Sequence, residues 1–131
     1  MIYEEIVKTP SQQAFVNVTT IIKKAVRASG IKNGHILVSV PHTTAALTVN
    51  ENADPDVVTD FLRRLNSAYP VHDPADLHSE GNSAAHVKSS LLGTCHNFIV
   101  ADNELVLGTW QGIFLCEFDG PRTRRVIISI L

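Results

Sequence analysis

Cysteine is scarce in this chain, and the two it has do not read as a pair. Cys95 and Cys116 stand in apolar, strand-like segments, TCHNFIV and IFLCEF. Free cysteine packs as a small hydrophobe, and buried thiols of this kind belong to a reducing compartment. Long apolar runs are missing too: none approaches the roughly 20 residues needed to span a bilayer. MIYEEIVKTP has no basic stretch leading into an apolar one, so no signal peptide is expected. The expectation is a soluble cytoplasmic protein with no membrane partner. Nor is there a basic excess. The formal net charge of −2 speaks against a general nucleic-acid binder, which would offer a positive field to the phosphates. RTRR at 122–125 is a local basic cluster only.

Repeats, low-complexity tracts and linkers are also absent, so the 131 residues are expected to form one domain, 1–131. With 44% hydrophobic and 18% charged residues the chain is globular, not disordered. Several catalytic signatures fail. HSE at 78–80 lacks the downstream P-C-x-x-C of the zinc deaminases. GNSAA lacks the preceding strand of a nucleophile elbow. Neither G-x-x-x-x-G-K-[ST] nor G-x-G-x-x-G occurs.

What is present reads as alternating strands and helices. IYEEIVKT and QAFVNVT predict two short strands, joined by PSQ as a hairpin. TIIKKAVRASG predicts an amphipathic helix with Thr19 or Thr20 at its start and Gly30 at its end. GHILVSVP reads as a buried strand and HTTAALTVNE as its partner. In DPDVVTDFLRRLNSAYP, Asp54 is the N-cap, Pro55 the first helical residue, and Val57, Val58, Phe61, Leu62 and Leu65 one apolar stripe. SAAHVKSSLLG predicts a short helix closed by Gly93. CHNFIVAD, WQGIFLCEF and RRVIISIL predict three final strands, with turns at DNEL and DGPR. The order is that of an α+β fold with mostly antiparallel pairing. Late strands apolar on both faces exceed what the helices can cover, so an oligomer is expected.

Three clusters carry chemistry. DLHSEGNSAAH at 76–86 gathers His78, Glu80 and His86 within one connection, and His42 follows Pro41 at the end of a buried strand. Imidazole and carboxylate are ligands for zinc and other divalent ions, so His42, His78 and His86 form one candidate set. In NENADPD at 50–56 the helix N-terminus accounts for Asp54 and Asp56, because its dipole favours negative charge. It does not account for Asn50 and Glu51. In GTWQGIFLCEFDGPRTRR, period two puts Glu117 on the same face as Ile113 and Leu115. A half-buried carboxylate needs a partner, and Arg122, Arg124 or Arg125 can supply it. The alternative is that Arg124 or Arg125 meets a substrate phosphate, with Lys88 as a second cation. His35, His72 and His96 carry no assigned role.

HTTAALTVNENADPDV, HSEGNSAAHVKSSLLG and LGTWQGIFLCEFDGPRTRRV resemble, in that order, the YjbQ-type family, also called the secondary thiamine-phosphate synthase family. The resemblance implies a curved antiparallel sheet with packed helices, assembled as a homotrimer. It also implies weak joining of a pyrimidine pyrophosphate to a thiazole phosphate. Its motif positions fall on His42, Asn50, Glu51, Asp54, His78, Glu80, Gly81, His86, Lys88, Gly108, Thr109, Trp110, Gln111 and Glu117. On that activity His78, His86, Glu51 and Glu80 are the catalytic candidates. Asn50, Asp54, Lys88, Trp110, Gln111, Arg124 and Arg125 would bind a phosphorylated substrate, Trp110 by stacking on a cationic ring. A divalent metal, zinc or magnesium, is the expected cofactor. Family members often carry further acids after the loop histidine, where this chain has Ser79, which lowers the expected metal affinity. Two rivals stand beside this reading: metal-assisted hydrolysis of a phosphorylated small molecule, and a non-catalytic metal- or metabolite-binding trimer.

Overall fold

A computed structural model describes residues 1–131. Eleven elements follow one another: β1 (Ile2–Lys8), β2 (Ala14–Asn17), α1 (Thr19–Ser29), β3 (Gly34–Ser39), β4 (Ala45–Glu51), α2 (Pro55–Ala68), α3 (Ser83–Leu92), β5 (Cys95–Ala101), β6 (Glu104–Leu105), β7 (Gln111–Glu117) and β8 (Thr123–Ile130). They form an α+β fold with two antiparallel sheets, one ordered β1-β8-β3-β5-β6 and the other β2-β7-β4.

Two expected pairings are corrected. β1 and β2 are not a hairpin, since β1 pairs with β8 and β2 with β7. Nor does β3 pair with β4: β3 lies between β5 and β8, and β4 lies beside β7. In both cases PSQ- and PH-containing connections carry the chain from one sheet to the other, a step that local sequence does not mark. The turn at Asp102 and Asn103, both at positive φ, joins β5 to the two-residue β6.

The two sheets share a core. Ile36, Val38, Val126 and Ile128 of the larger sheet meet Ala45, Leu47, Ile113 and Leu115 of the smaller one, and Ile22, Ala25 and Val26 of α1 close it. The opposite face of β7, Phe114, Cys116 and Phe118, packs with Ala46 and Ala85, and Leu62 and Leu65 of α2 rest on that cluster. The smaller sheet is therefore covered on both sides, which is why β7 is apolar on both faces from Ile113 to Cys116. Burial drives the Cys116 thiol well above the ordinary range, so it stays protonated. The far face of the larger sheet has no helix on it, and Ile2, Ile6 and Ile99 are 73%, 55% and 64% exposed there.

Helix ends follow their sequence signals in part. Asp54 accepts the Asp56 N–H and Pro55 opens α2, while Gly30 closes α1 at φ 72°, where a side chain would be strained. Thr19 and Thr20 do not cap α1. Val18 occupies the N-cap position, and Asn17 Oδ1 accepts the Thr19 N–H and hydroxyl. The Thr19 hydroxyl in turn accepts the Ile113 N–H, tying α1 to β7.

Candidate functional site

The connection between α2 and α3 folds back over the end of β3. Gly81, at φ 69°, turns the chain and donates its N–H to the His78 carbonyl at 3.2 Å. This places His78 in the loop against His86 in the first turn of α3. Their rings meet edge to face, with centroids 5.6 Å apart. Glu80 Oε1 is 3.9 Å from His78 Nε2. His42, two residues beyond Val40, lines the same cleft of about 460 Å³ together with Thr43, Thr44, Asn82, Asp119, Arg122 and Arg124. Pro41 apart, every lining side chain is polar.

His42 is fixed by an unusual partner. Its Nε2 accepts the backbone N–H of Arg125 at 2.9 Å. β3 ends at Ser39 and its pairing with β8 stops at Ile127, so the Arg125 N–H has no strand carbonyl opposite it and the imidazole accepts it instead. A lone pair on Nε2 requires the proton on Nδ1. Burial and then the positive charge of Arg124 push this imidazole below the ordinary histidine range, with the Glu117 carboxylate pulling the other way. His42 is thus a neutral ring that presents an Nδ1–H.

Arg124 and Arg122 are each half committed. Arg124 donates from Nε to Glu117 Oε1 at 2.8 Å and from Nη2 to Glu117 Oε2 and Thr44 Oγ1. Arg122 donates from Nε to the Asp119 carbonyl and from Nη2 to its carboxylate. In both residues Nη1 keeps its protons for another acceptor. Asn82 donates to Asp119 at 2.8 Å, while its own Oδ1 is buried without a partner. Burial works to raise the Glu117 carboxyl, but Arg124, the Thr9 hydroxyl and the Asp119 N–H together hold it below the usual carboxylate range. Of the partners open to Glu117, the structure selects Arg124.

The candidate residues separate into two groups. His42, His78, Glu80, His86 and Arg124 converge. Asn50, Glu51, Asp54, Trp110 and Gln111 gather at the other end of β4 and β7, where Glu51 pairs with Gln111 and Asn50 with Gly112. With a rise of about 3.3 Å per residue, the two ends of β4 are about 20 Å apart. Glu51 and Asp54 line a separate cavity of about 420 Å³ with Phe15, Val58 and Phe114. Trp110 is 63% exposed beside it, and Gln111 Oε1 accepts the Gly108 N–H.

Two expected phosphate contacts lie elsewhere. Lys88 is 1% exposed, donates to Asn66 Oδ1 at 2.5 Å and sits over the Phe118 ring. It belongs to the buried face of α3, and helical spacing turns it away from the face that carries His86. Arg125 pairs bidentately with Glu4 on β1, and only its amide reaches the site. Sequence reasoning passed over Thr44 and Asp119. Asp119 stands in DGPR, a segment that reads as a plain turn.

The expected three-histidine metal site is not gathered. No three His, Cys, Asp or Glu side chains stand close enough together to hold an ion, and His42 Nε2 is already engaged.

The fold and site together define a two-sheet α+β domain with a polar, histidine-lined cleft. The chain belongs to the YjbQ/UPF0047 family: the family described as "UPF0047 protein YjbQ-like" matches residues 4–131. It is 47% identical over 125 residues to the UPF0047 protein YugU of Bacillus subtilis, covering 95% of each chain. It is 44% identical over 131 residues to the UPF0047 protein MJ1081 of Methanocaldococcus jannaschii, covering 100% of this chain and 94% of that one. A crystal structure of a YjbQ/UPF0047 protein from Clostridium acetobutylicum superposes with a TM-score of 0.95 at 46% identity, over 98% of this chain and 99% of that one. The conserved hypothetical protein TT1486 of Thermus thermophilus gives 0.92 at 44% identity, over 98% and 99%. No helix is long and apolar enough to cross a membrane.

Proposed function

We propose that this chain is an enzyme that acts on the phosphate ester of a small molecule in the His42–His78–His86 cleft, by hydrolysis. The observation that carries the reading is the polar lining, Pro41 apart, around three imidazoles and two arginines with free Nη1 groups. Guanidinium forks suit phosphate oxygens, and the His42 Nδ1–H adds a neutral donor. Imidazole exchanges a proton near neutral pH. One of His78 and His86 removes a proton from water as its oxygen attacks phosphorus. The P–O ester bond breaks with its electron pair on the leaving oxygen, which takes a proton from the other.

The side chains do not form a three-ligand set, so a divalent ion in the cleft would take His78 and His86 from this chain and its other ligands from substrate or water. Two imidazoles suit zinc better than magnesium. The ion would supply a Lewis acid for a phosphoryl oxygen.

A second reading is the thiamine-phosphate synthase-type reaction, in which a thiazole nitrogen displaces pyrophosphate from a pyrimidine methylene carbon. The cavity of Phe15, Phe114, Glu51 and Asp54 favours it, being apolar and acidic enough for a cationic ring. It shares no lining residue with the histidine cleft, so this reaction needs a second copy to bring the two together. The uncovered face of the larger sheet supports such an assembly, and we propose the homotrimer as its form. Phosphate release from a series of small esters, compared with His78→Ala/His86→Ala, tests the first reading. Thiamine phosphate formed from the two phosphorylated halves would favour the second, and stoichiometric binding without turnover of either kind would leave a non-catalytic module.

A further inference from the structure

We propose that the ester taken by the histidine cleft is that of a polyhydroxylated molecule, a sugar or polyol phosphate, with its hydroxyls held in a second compartment beside the arginines; this rests on the reading above. A cavity of about 400 Å³ adjoins the cleft and shares His42, Thr43 and His86 with it. Ser89, Ser90, Gly93 and Thr94 complete its wall. On α3, His86, Ser89 and Ser90 stand three and four residues apart and so fall on one helix face, with Gly93 just past its end. The same two imidazoles therefore stand between a compartment with guanidinium groups and one with hydroxyls.

The chemistry of the second compartment is narrow. It has no lysine or arginine for a second phosphate, and no aliphatic or aromatic wall for a heteroaromatic ring. Hydroxyl side chains both donate and accept, which matches the alternating demands of vicinal alcohols. Ser89 is 2% exposed, and its Oγ has no hydrogen-bond partner. A buried hydroxyl left unpaired is costly, and Ser89 is one of the residues that line the compartment. Volume agrees as well, since small-molecule sites occupy about 300–1,000 Å³.

Isothermal titration of the full chain with inorganic phosphate, ribose 5-phosphate and phenyl phosphate tests the inference. Ribose 5-phosphate is expected to bind about tenfold or more tighter than either of the others. In Ser90→Ala/Thr94→Val, checked for an unchanged melting curve, it should fall to the affinity of inorganic phosphate. Phenyl phosphate binding as well as the sugar phosphate would overturn the inference, and so would a variant that keeps the sugar's advantage. Either result, with inorganic phosphate still bound, leaves the phosphate-ester reading standing. Failure of all three ligands to bind would overturn both.

Discussion

Arg124 and Glu117 bridge the two sheets beneath the histidine cleft, with side chains only 5% and 0% exposed. Glu117 comes from β7 of the smaller sheet and Arg124 from β8 of the larger, and Thr9 and Thr44 add one side-chain hydrogen bond to each. The pair is a buried ionic tie between two layers that meet mainly through hydrocarbon, with His96 Nε2 on the Leu47 carbonyl as a further polar tie. It also positions the free Nη1 of Arg124 in the cleft.

Removing one partner strands the other charge in a dry place, which costs about 3–5 kcal/mol. Arg124→Met and Glu117→Leu should each lower stability by that amount in urea unfolding. The double variant should recover much of the loss, because two apolar groups replace two charges. Equal, additive losses would show that the residues do not act as a pair.

The Glu117 carboxyl titrates below its ordinary value in the folded chain. A depressed carboxyl contributes stability that is present above the unfolded pKa, near 4.3, and is lost as pH falls through the folded pKa. The unfolding free energy should therefore drop on acidification below about pH 4.5. In Glu117→Gln that part of the slope should disappear. A variant that follows the wild-type acid profile would remove Glu117 as its source.

Lys88 is buried beside an amide and a ring, with no carboxylate, and burial holds its ammonium below the ordinary lysine range. Because the folded state binds the proton less well, stability should rise with pH from the folded pKa up to about 10.4. Lys88→Met should abolish that rise and change neutral-pH stability by less than about 1 kcal/mol, or raise it. A large loss at neutral pH would mean that the ammonium is a structural requirement.

The uncovered face of the larger sheet presents Ile2, Ile6 and Ile99. Light scattering after size exclusion should give three chains per particle, and Ile2→Lys/Ile99→Lys should yield smaller species. A monomeric wild type would remove the proposed trimer and, with it, the composite site needed for thiamine phosphate synthesis.

Much of the fold was legible because its signals are local. The caps Asp54 and Gly30, the stripe of α2 and the strand-forming runs sit within a few residues of the structure they set. Sheet membership was not legible. β1 and β4 look like partners of β2 and β3 because neighbours in sequence usually pair, yet each leaves for the other sheet. The chemistry of His42, His78 and His86 was readable from residue types, and the strand end and loop bring them together. Lys88 misled because a lysine followed by two serines on a short helix reads as exposed, while the helical turn that buries Ala84 and Ala85 also carries Lys88 inward. The tie between His42 and the Arg125 amide spans most of the chain and leaves no trace in spacing.

The most direct test of the account follows the six imidazoles by ¹⁵N NMR while inorganic phosphate is added. His42, His78 and His86 should shift together with one binding constant, with His42 in its Nδ1–H form, while His35, His72 and His96 stay in place. Phosphate that moves none of the first three, or that moves all six alike, would contradict a single phosphate site built on the histidine cleft.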